Sequence, residues 1–387
     1  MSSGNSEKEF FKIYREEFPI TKNLTYLDHA AVSPVSLRVK RAVDDFLTEA
    51  VESAFHNYGS WLQRVEEIRG ICSKLVGSER DEIAFIKNTS HGLSLVAQGL
   101  DWREGDNLIT YEREFPSNVY PWLSLKRRGV SVRLIAKKGY GFQTEDIENL
   151  IDSRTRLLSI SSVQFSNGFK CDIHRIAELC KQKGVLLFVD AIQSLGVIPV
   201  NVKDYGIDFL AADGHKWLLA PEGTGIFYCR GDRAERLSPT LIGWKSVVNE
   251  NDYDHIDFRL KDNALKFEEG SFNIVGINAL GAAVELLLEI GIERIETRIF
   301  ELGDLIIEET EKRLLELRSP RDRNERSAIH SIAGNFDSKI VKDKLKALGI
   351  IVNVRGGALR VAPHFYNTED EILRFFSALD AILNSKY

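Results

Sequence analysis

Gly184-Val185-Leu186-Leu187-Phe188-Val189 is apolar throughout and ends in Asp190-Ala191-Ile192-Gln193; Asp208-Phe209-Leu210-Ala211-Ala212 follows and ends in Asp213-Gly214-His215-Lys216. A run that is apolar at every position, instead of at alternate ones, marks a strand covered on both faces, the habit of parallel sheets flanked by helices. Outward from this pair strand-like runs recur in Glu82-Ile83-Ala84-Phe85-Ile86, Asn107-Leu108-Ile109-Thr110, Val130-Ser131-Val132-Arg133-Leu134-Ile135 and Leu157-Leu158-Ser159-Ile160. Between the runs, residues 172–183 carry Ile173, Ile176, Ala177, Leu179 and Cys180 at helical spacing. The reading is an α/β protein with a mostly parallel central sheet and helices on both faces.

The pattern changes near Gly291. Residues 293–317 read as one long charged amphipathic helix, a polar loop follows at 319–327, and short strands and helices complete a smaller α+β C-terminal domain. The expected organisation is an N-terminal helix over 1–20 packing on the small domain, a large domain over 21–290, and the small domain over 291–387. The 387 residues hold 51 Lys+Arg against 57 Asp+Glu, a net charge of −6, with no basic stripe suited to a phosphate backbone, so nucleic acid is excluded as a partner. The first residues lack an apolar signal core, and the longest apolar stretch, broken by Glu285 and Glu289, is too short to span a bilayer. Cys72, Cys171, Cys180 and Cys229 are far apart with no CxxC pair, which fits reduced thiols in the cytoplasm and neither disulfides nor a metal site.

In an open α/β sheet, ligands lie beyond the carboxyl ends of the strands, so the polar residues there are the site candidates. Asp190 is a helix cap or the partner of a cationic ligand group, and alone the cap is the simpler explanation. Lys216 is followed by Trp217-Leu218-Leu219-Ala220-Pro221, which would bury it. A buried ammonium is costly unless its pKa falls or it is covalently modified. After the strand at 83–86 comes Lys87-Asn88-Thr89-Ser90-His91-Gly92 and a helix over 93–100, where free N–H groups could hold an anion or Thr89 and Ser90 could simply cap. Neither GxxxxGK[ST] nor GxGxxG is present. An anion cup, a carboxylate and a buried lysine at one sheet edge together suit pyridoxal 5′-phosphate.

With Phe267-Glu268-Glu269-Gly270-Ser271-Phe272-Asn273 downstream, these residues resemble the class V aminotransferase family of fold type I pyridoxal-phosphate enzymes, which includes cysteine desulfurases, kynureninase-like lyases and isopenicillin N epimerase-like proteins. The resemblance runs from Tyr26-Leu27-Asp28-His29-Ala30-Ala31 to Leu359-Arg360-Val361-Ala362-Pro363. It implies Lys216 as the Schiff-base lysine, Asp190 as the pyridinium partner, Gln193 near the phenolic oxygen, Thr89 and Ser90 in the phosphate cup, and His215 as a further catalytic and cofactor contact. Ser271 would reach the phosphate of a neighbouring subunit, so a homodimer with shared sites is implied. Trp244 lines that region or is a packed core residue, and Arg360 matches the clamp for a substrate α-carboxylate.

Three departures bear on the reaction. Phe115 stands where desulfurases put a histidine over the cofactor ring; it can stack but cannot carry a proton. The stretch from Val352 to Arg360 is short and holds no cysteine, which disfavours a desulfurase with a protein persulfide. Asp213 replaces a phosphate-binding serine and is expected to point away or cap its turn, while a contact from Asn167 stays open. The expected activity is of aminotransferase type, on a small amino acid through an external aldimine. A β-lyase, a kynureninase-like hydrolase, an epimerase and, last, a non-catalytic pyridoxal-phosphate binder are the alternatives.

Overall fold

A computed structural model describes residues 3–385. Seven strands form the central sheet: β1 (Ile83–Ile86), β2 (Asn107–Tyr111), β3 (Ser131–Ile135), β4 (Thr155–Ser161), β5 (Leu186–Asp190), β6 (Phe209–Asp213) and β7 (Gly225–Cys229). Their spatial order is β1-β7-β6-β5-β4-β2-β3, and only β7 runs antiparallel to its neighbours. The mostly parallel sheet expected from sequence is therefore present.

Successive side chains on a strand point to opposite faces, and the apolar runs feed two cores. Leu158, Ile160, Leu187, Val189, Leu210 and Ala212 join one, while Leu157, Phe188, Phe209 and Ala211 join the other. The helix Ile173–Lys183 buries Ile173, Ile176, Ala177, Leu179 and Cys180 on the first core. Its N-cap is Asp172, which accepts from the Arg175 N–H, and Gly184 ends it at φ 68°.

Beyond a helix over Ile274–Ile290, Gly291 turns the chain at φ 92° into a second helix, Ile292–Lys312. That helix is shorter than its sequence suggests. Glu316–Leu317 pairs antiparallel with His330–Ala333 instead, because Leu317 is needed in a third core with Ile332, Val341, Leu359 and Phe375. Strands β8 (Glu316–Leu317), β9 (His330–Ala333), β10 (Asn353–Arg355) and β11 (Ala358–Val361) make a second sheet in the order β10-β11-β9-β8. Thr25 and Tyr26 pair in parallel with Ile350 and Ile351, and Leu27 enters the third core, so this segment lies with the C-terminal strands. We propose the division between larger and smaller units at Gly291. The N-terminal helix meets the C-terminal part through the Arg15–Glu371 ion pair at 3.0 Å and the Phe11–Phe365 rings at 6.0 Å.

Candidate active site

β6 ends at Asp213, and the turn through Gly214 and His215 delivers Lys216 beneath a lid of buried Trp217, Leu218, Leu219 and Ala220. Leu219 sits at φ 61°, a left-handed conformation that costs a leucine roughly 1–2 kcal/mol. Two backbone bonds hold it there, Leu219 N–H to Lys216 O (3.1 Å) and Ala220 N–H to Gly214 O (2.9 Å). Lys216 Nζ lies 5.6 Å from the centroid of the Phe115 ring, which rests edge-on against Phe165 at 5.2 Å. Burial pushes the lysine down to about 8; the charge of Asp190 opposes the shift and that of Arg360 adds to it.

Asp190, 2% exposed at the end of β5, is pushed up to about 6 by burial, resisted by the Ile192 N–H on its Oδ1 and by the charge of Lys216. A cationic ring nitrogen placed against it would restore its charge.

The helix after β1 begins at Thr89, earlier than the sequence reading, and runs to Gly99. Its cap is neither Thr89 nor Ser90 but Asn88, whose side chain accepts from the His91 N–H at 2.9 Å. The N–H groups of Thr89 and Ser90 thus lie in a first turn with no intrahelical acceptor, at the positive end of the helix dipole. Thr89 Oγ1 accepts from the Asp213 N–H at 3.1 Å, which joins this turn to the lysine turn. Ser90 Oγ donates to Ser117 Oγ at 2.8 Å. Asp213 caps its own turn: Oδ1 accepts from the Gly214 N–H at 2.8 Å and Oδ2 is 3.0 Å from His215 Nδ1.

Gln193 spends its amide on the protein, donating to Ala30 O (3.1 Å) and accepting from Trp217 Nε1 (2.8 Å), with one N–H left for a ligand. Arg360 is 1% exposed and pairs Asp28 Oδ1 at 3.1 Å while donating to Phe165 O at 2.9 Å. Trp244 is 38% exposed and is no core residue; it neighbours Gly270 and the exposed Ser271. Among the described residues neither Trp244 nor Ser271 makes a hydrogen bond or ring contact with Lys216, Asp190 or Phe115. Asn167 spends its side chain on the protein, donating to Tyr140 O in a separate turn and accepting from the Phe169 N–H.

Two further residues share this edge. Glu114, just after β2, accepts from the Ser161 N–H (2.8 Å), Ser161 Oγ and Gln164 Nε2 (2.9 Å). Gln164 Oε1 is buried without a partner. The rule applied to the other strands, that polar residues follow the apolar run, would have reached both.

Burial pushes Glu114 up to about 7 from its ordinary 4.5, so folding favours its protonated form. Its stabilising contribution is complete below about pH 4.5 and lost as pH rises through about 7. Relative to Glu114→Gln, cofactor-free wild type should lose on the order of 2 kcal/mol between about pH 5 and about pH 8. Urea unfolding curves of the two proteins that stay parallel across this range would contradict it.

The donor set fits pyridoxal 5′-phosphate: open N–H groups at Thr89 and Ser90, a carboxyl at Asp190, an amine at Lys216, and buried polar atoms without partners at Gln164 Oε1 and Arg360 Nε. The model of the class-V aminotransferase family matches residues 25–375. A "Probable cysteine desulfurase" of Methanothermobacter thermautotrophicus is 31% identical, over 95% of this chain and 97% of that protein. The "Uncharacterized aminotransferase YcbU" of Bacillus subtilis is 29% identical, over 93% of this chain and 94% of the relative. An apo cysteine desulfurase from Thermococcus onnurineus superposes with a TM-score of 0.88 at 26% identity, covering 96% of this chain and 98% of that one. A cystine C–S lyase, C-DES, shares the fold with a TM-score of 0.88 at 20% identity, over 94% of this chain and 98% of its own. The chain belongs to the class-V aminotransferase family, and its cofactor is pyridoxal 5′-phosphate.

Proposed function

We propose that this protein moves a proton at the α-carbon of a small amino acid in the manner of an aminotransferase, with Lys216 Nζ as proton carrier. The observation that carries the reading is Lys216 itself, a buried amine 5.6 Å from the centroid of the Phe115 ring, pushed down to about 8 by burial against the opposing charge of Asp190. Bound here, the cofactor supplies an electron sink for a bond broken at the substrate α-carbon.

The chain's own residues supply the rest. Asp190 favours a proton on a ring nitrogen set against it. Thr89 and Ser90 offer their N–H groups to a phosphate. The buried, partnerless Arg360 Nε offers a donor to an α-carboxylate. Phe115 could stack on a bound ring but carries no proton, so proton transfer falls to Lys216 Nζ, at a pKa suited to a base near neutrality. His215, its Nδ1 3.0 Å from Asp213 Oδ2, is the further contact beside Lys216, while Asp213 holds the turn through the Gly214 N–H.

The relatives named as desulfurases favour a second reading, cleavage of a carbon–sulfur bond. A protein persulfide has no support in either case. All four cysteines are buried, with Cys72 and Cys180 pushed up to about 12 by burial, and thiols held protonated are poor nucleophiles. On this reading the step is a β-elimination: the carbon–sulfur bond breaks, sulfide leaves to solvent, and pyruvate and ammonia are the other products.

The test is to add single amino acids to the cofactor-loaded protein and follow its visible spectrum and products. Transamination converts the cofactor to its amine form and yields a keto acid. Sulfide without that conversion selects the lyase, and no change with any amino acid rejects both.

We also infer a homodimer, housed in the cytoplasm where free thiols persist. Ile242, Trp244, Tyr253, Ile256 and Phe258, all exposed, lie within one stretch of 17 residues, and Trp244 meets Tyr253 at 6.1 Å and nears Gly270, a run of exposed apolar side chains suited to a covered interface. Sedimentation should give twice the chain mass, and Ile256→Glu with Phe258→Glu should shift it toward monomer; a wild-type monomer at micromolar concentration would refute the dimer.

A further inference from the structure

The two arginines of the β10–β11 hairpin are not equivalent. Gly356 and Gly357, at φ 55° and 77°, close it as a two-residue turn that sets Asn353 opposite Arg360 and Arg355 opposite Ala358. A polar chain crosses the hairpin. Asp28 Oδ1 pairs Arg360 Nη2 (3.1 Å), Asp28 Oδ2 accepts from Asn353 Nδ2 (2.8 Å), and Asn353 Oδ1 accepts from Arg355 Nη1 (2.9 Å).

At the inner end, Arg360 is neutralised by Asp28, with Nε still open. At the outer end, half-buried Arg355 donates only to Asn353 Oδ1 and Val354 O, and among the described residues no carboxylate lies within ion-pair distance of it. A guanidinium held by neutral acceptors and partly removed from water is a charge without a counter-ion. Both arginines lie close enough to Lys216 for their charge to act on it.

We propose that Arg355 is a second anion-binding position of the active site, and that the substrate is an amino acid whose side chain ends in a carboxylate or sulfinate. The proposal rests on the pyridoxal-phosphate reading above. Arg360 Nε takes the α-carboxylate, and Arg355 takes the distal anion through its free N–H groups, in the planar two-point geometry that guanidinium offers.

The experiment measures dissociation constants of L-aspartate, L-cysteine sulfinate and L-alanine for the cofactor-loaded enzyme, from the ligand-induced change in its visible spectrum. Wild type should bind the acidic ligands at least tenfold more tightly than alanine. Arg355→Gln should bring that ratio near one, and Arg355→Lys should restore part of it. A wild-type ratio near one overturns the proposal without any variant, as does a ratio that Arg355→Gln leaves unchanged because both ligand classes weaken equally or neither weakens. A protein with no visible band after cofactor addition would instead count against the cofactor reading.

Discussion

Lys216→Ala should abolish the visible band of covalently held cofactor and lower turnover by about a thousandfold or more, since it removes both the point of attachment and the proton carrier. The cavity left is small and Asp190 remains, so the variant should still fold. Lys216→Arg is the sharper control, keeping a cation beside Asp190 and Phe115 while being unable to form the imine or act as a base near neutrality. Both variants should be colourless after borohydride and dialysis, whereas wild type retains the reduced cofactor on a peptide containing residue 216. A Lys216→Ala protein with undiminished turnover would overturn the assignment.

The largest effect on stability should come from Arg69→Met. Arg69 and Glu268, with side chains 1% and 4% exposed, form a two-point ion pair at 2.6 and 3.0 Å. Glu268 also accepts from the Phe85 N–H (2.8 Å), and Arg69 donates to Ile83 O (2.9 Å), so the pair anchors β1 to the helix over Tyr58–Val76. Removing one partner strands the other charge, at a cost of about 3–5 kcal/mol. The double change Arg69→Met with Glu268→Leu should cost clearly less than Arg69→Met alone, because no buried unpaired charge remains; Glu66, the other partner of Arg69 at 2.9 Å, is half exposed and keeps its water. Denaturant unfolding separates the cases, and a loss under about 1 kcal/mol for Arg69→Met would show the pair to be dispensable. Glu268 lies two residues before Gly270, so loosening it should also disturb the segment that presents Ser271.

Most of the sheet was legible because its strands are apolar at consecutive positions and each feeds two cores, a pattern visible in Leu157-Leu158 or Phe209-Leu210 without any tertiary knowledge. In the C-terminal part short strands were expected, but their positions were not legible. Glu316–Leu317 follows a charged helix in continuous helical phase, and only the pairing of Leu317 with Ile332 makes it a strand. Asp190, Lys216 and Thr89 could be singled out as candidates because each follows the end of an apolar run. The Asp28–Arg360 pair could not, since the two residues are 332 positions apart and no local periodicity links them. The sequence also left Thr89 and Ser90 as either caps or ligands. The structure gives capping to Asn88 because its side chain reaches the His91 N–H, which leaves the first-turn donors open.

The hydrogen bond from the Asp213 N–H to Thr89 Oγ1 has a consequence for ligand length. It ties the turn that offers N–H groups to an anion to the turn that carries the reactive amine, across 124 residues of chain. The two docking points therefore sit at a fixed spacing, like the jaws of a gauge set during folding. A molecule that spans both, an aldehyde at one end and a phosphate at the other, meets a ready-made cradle and loses little freedom beyond its own. On the site assignment proposed above, a pyridoxal without its phosphate would reach only one jaw.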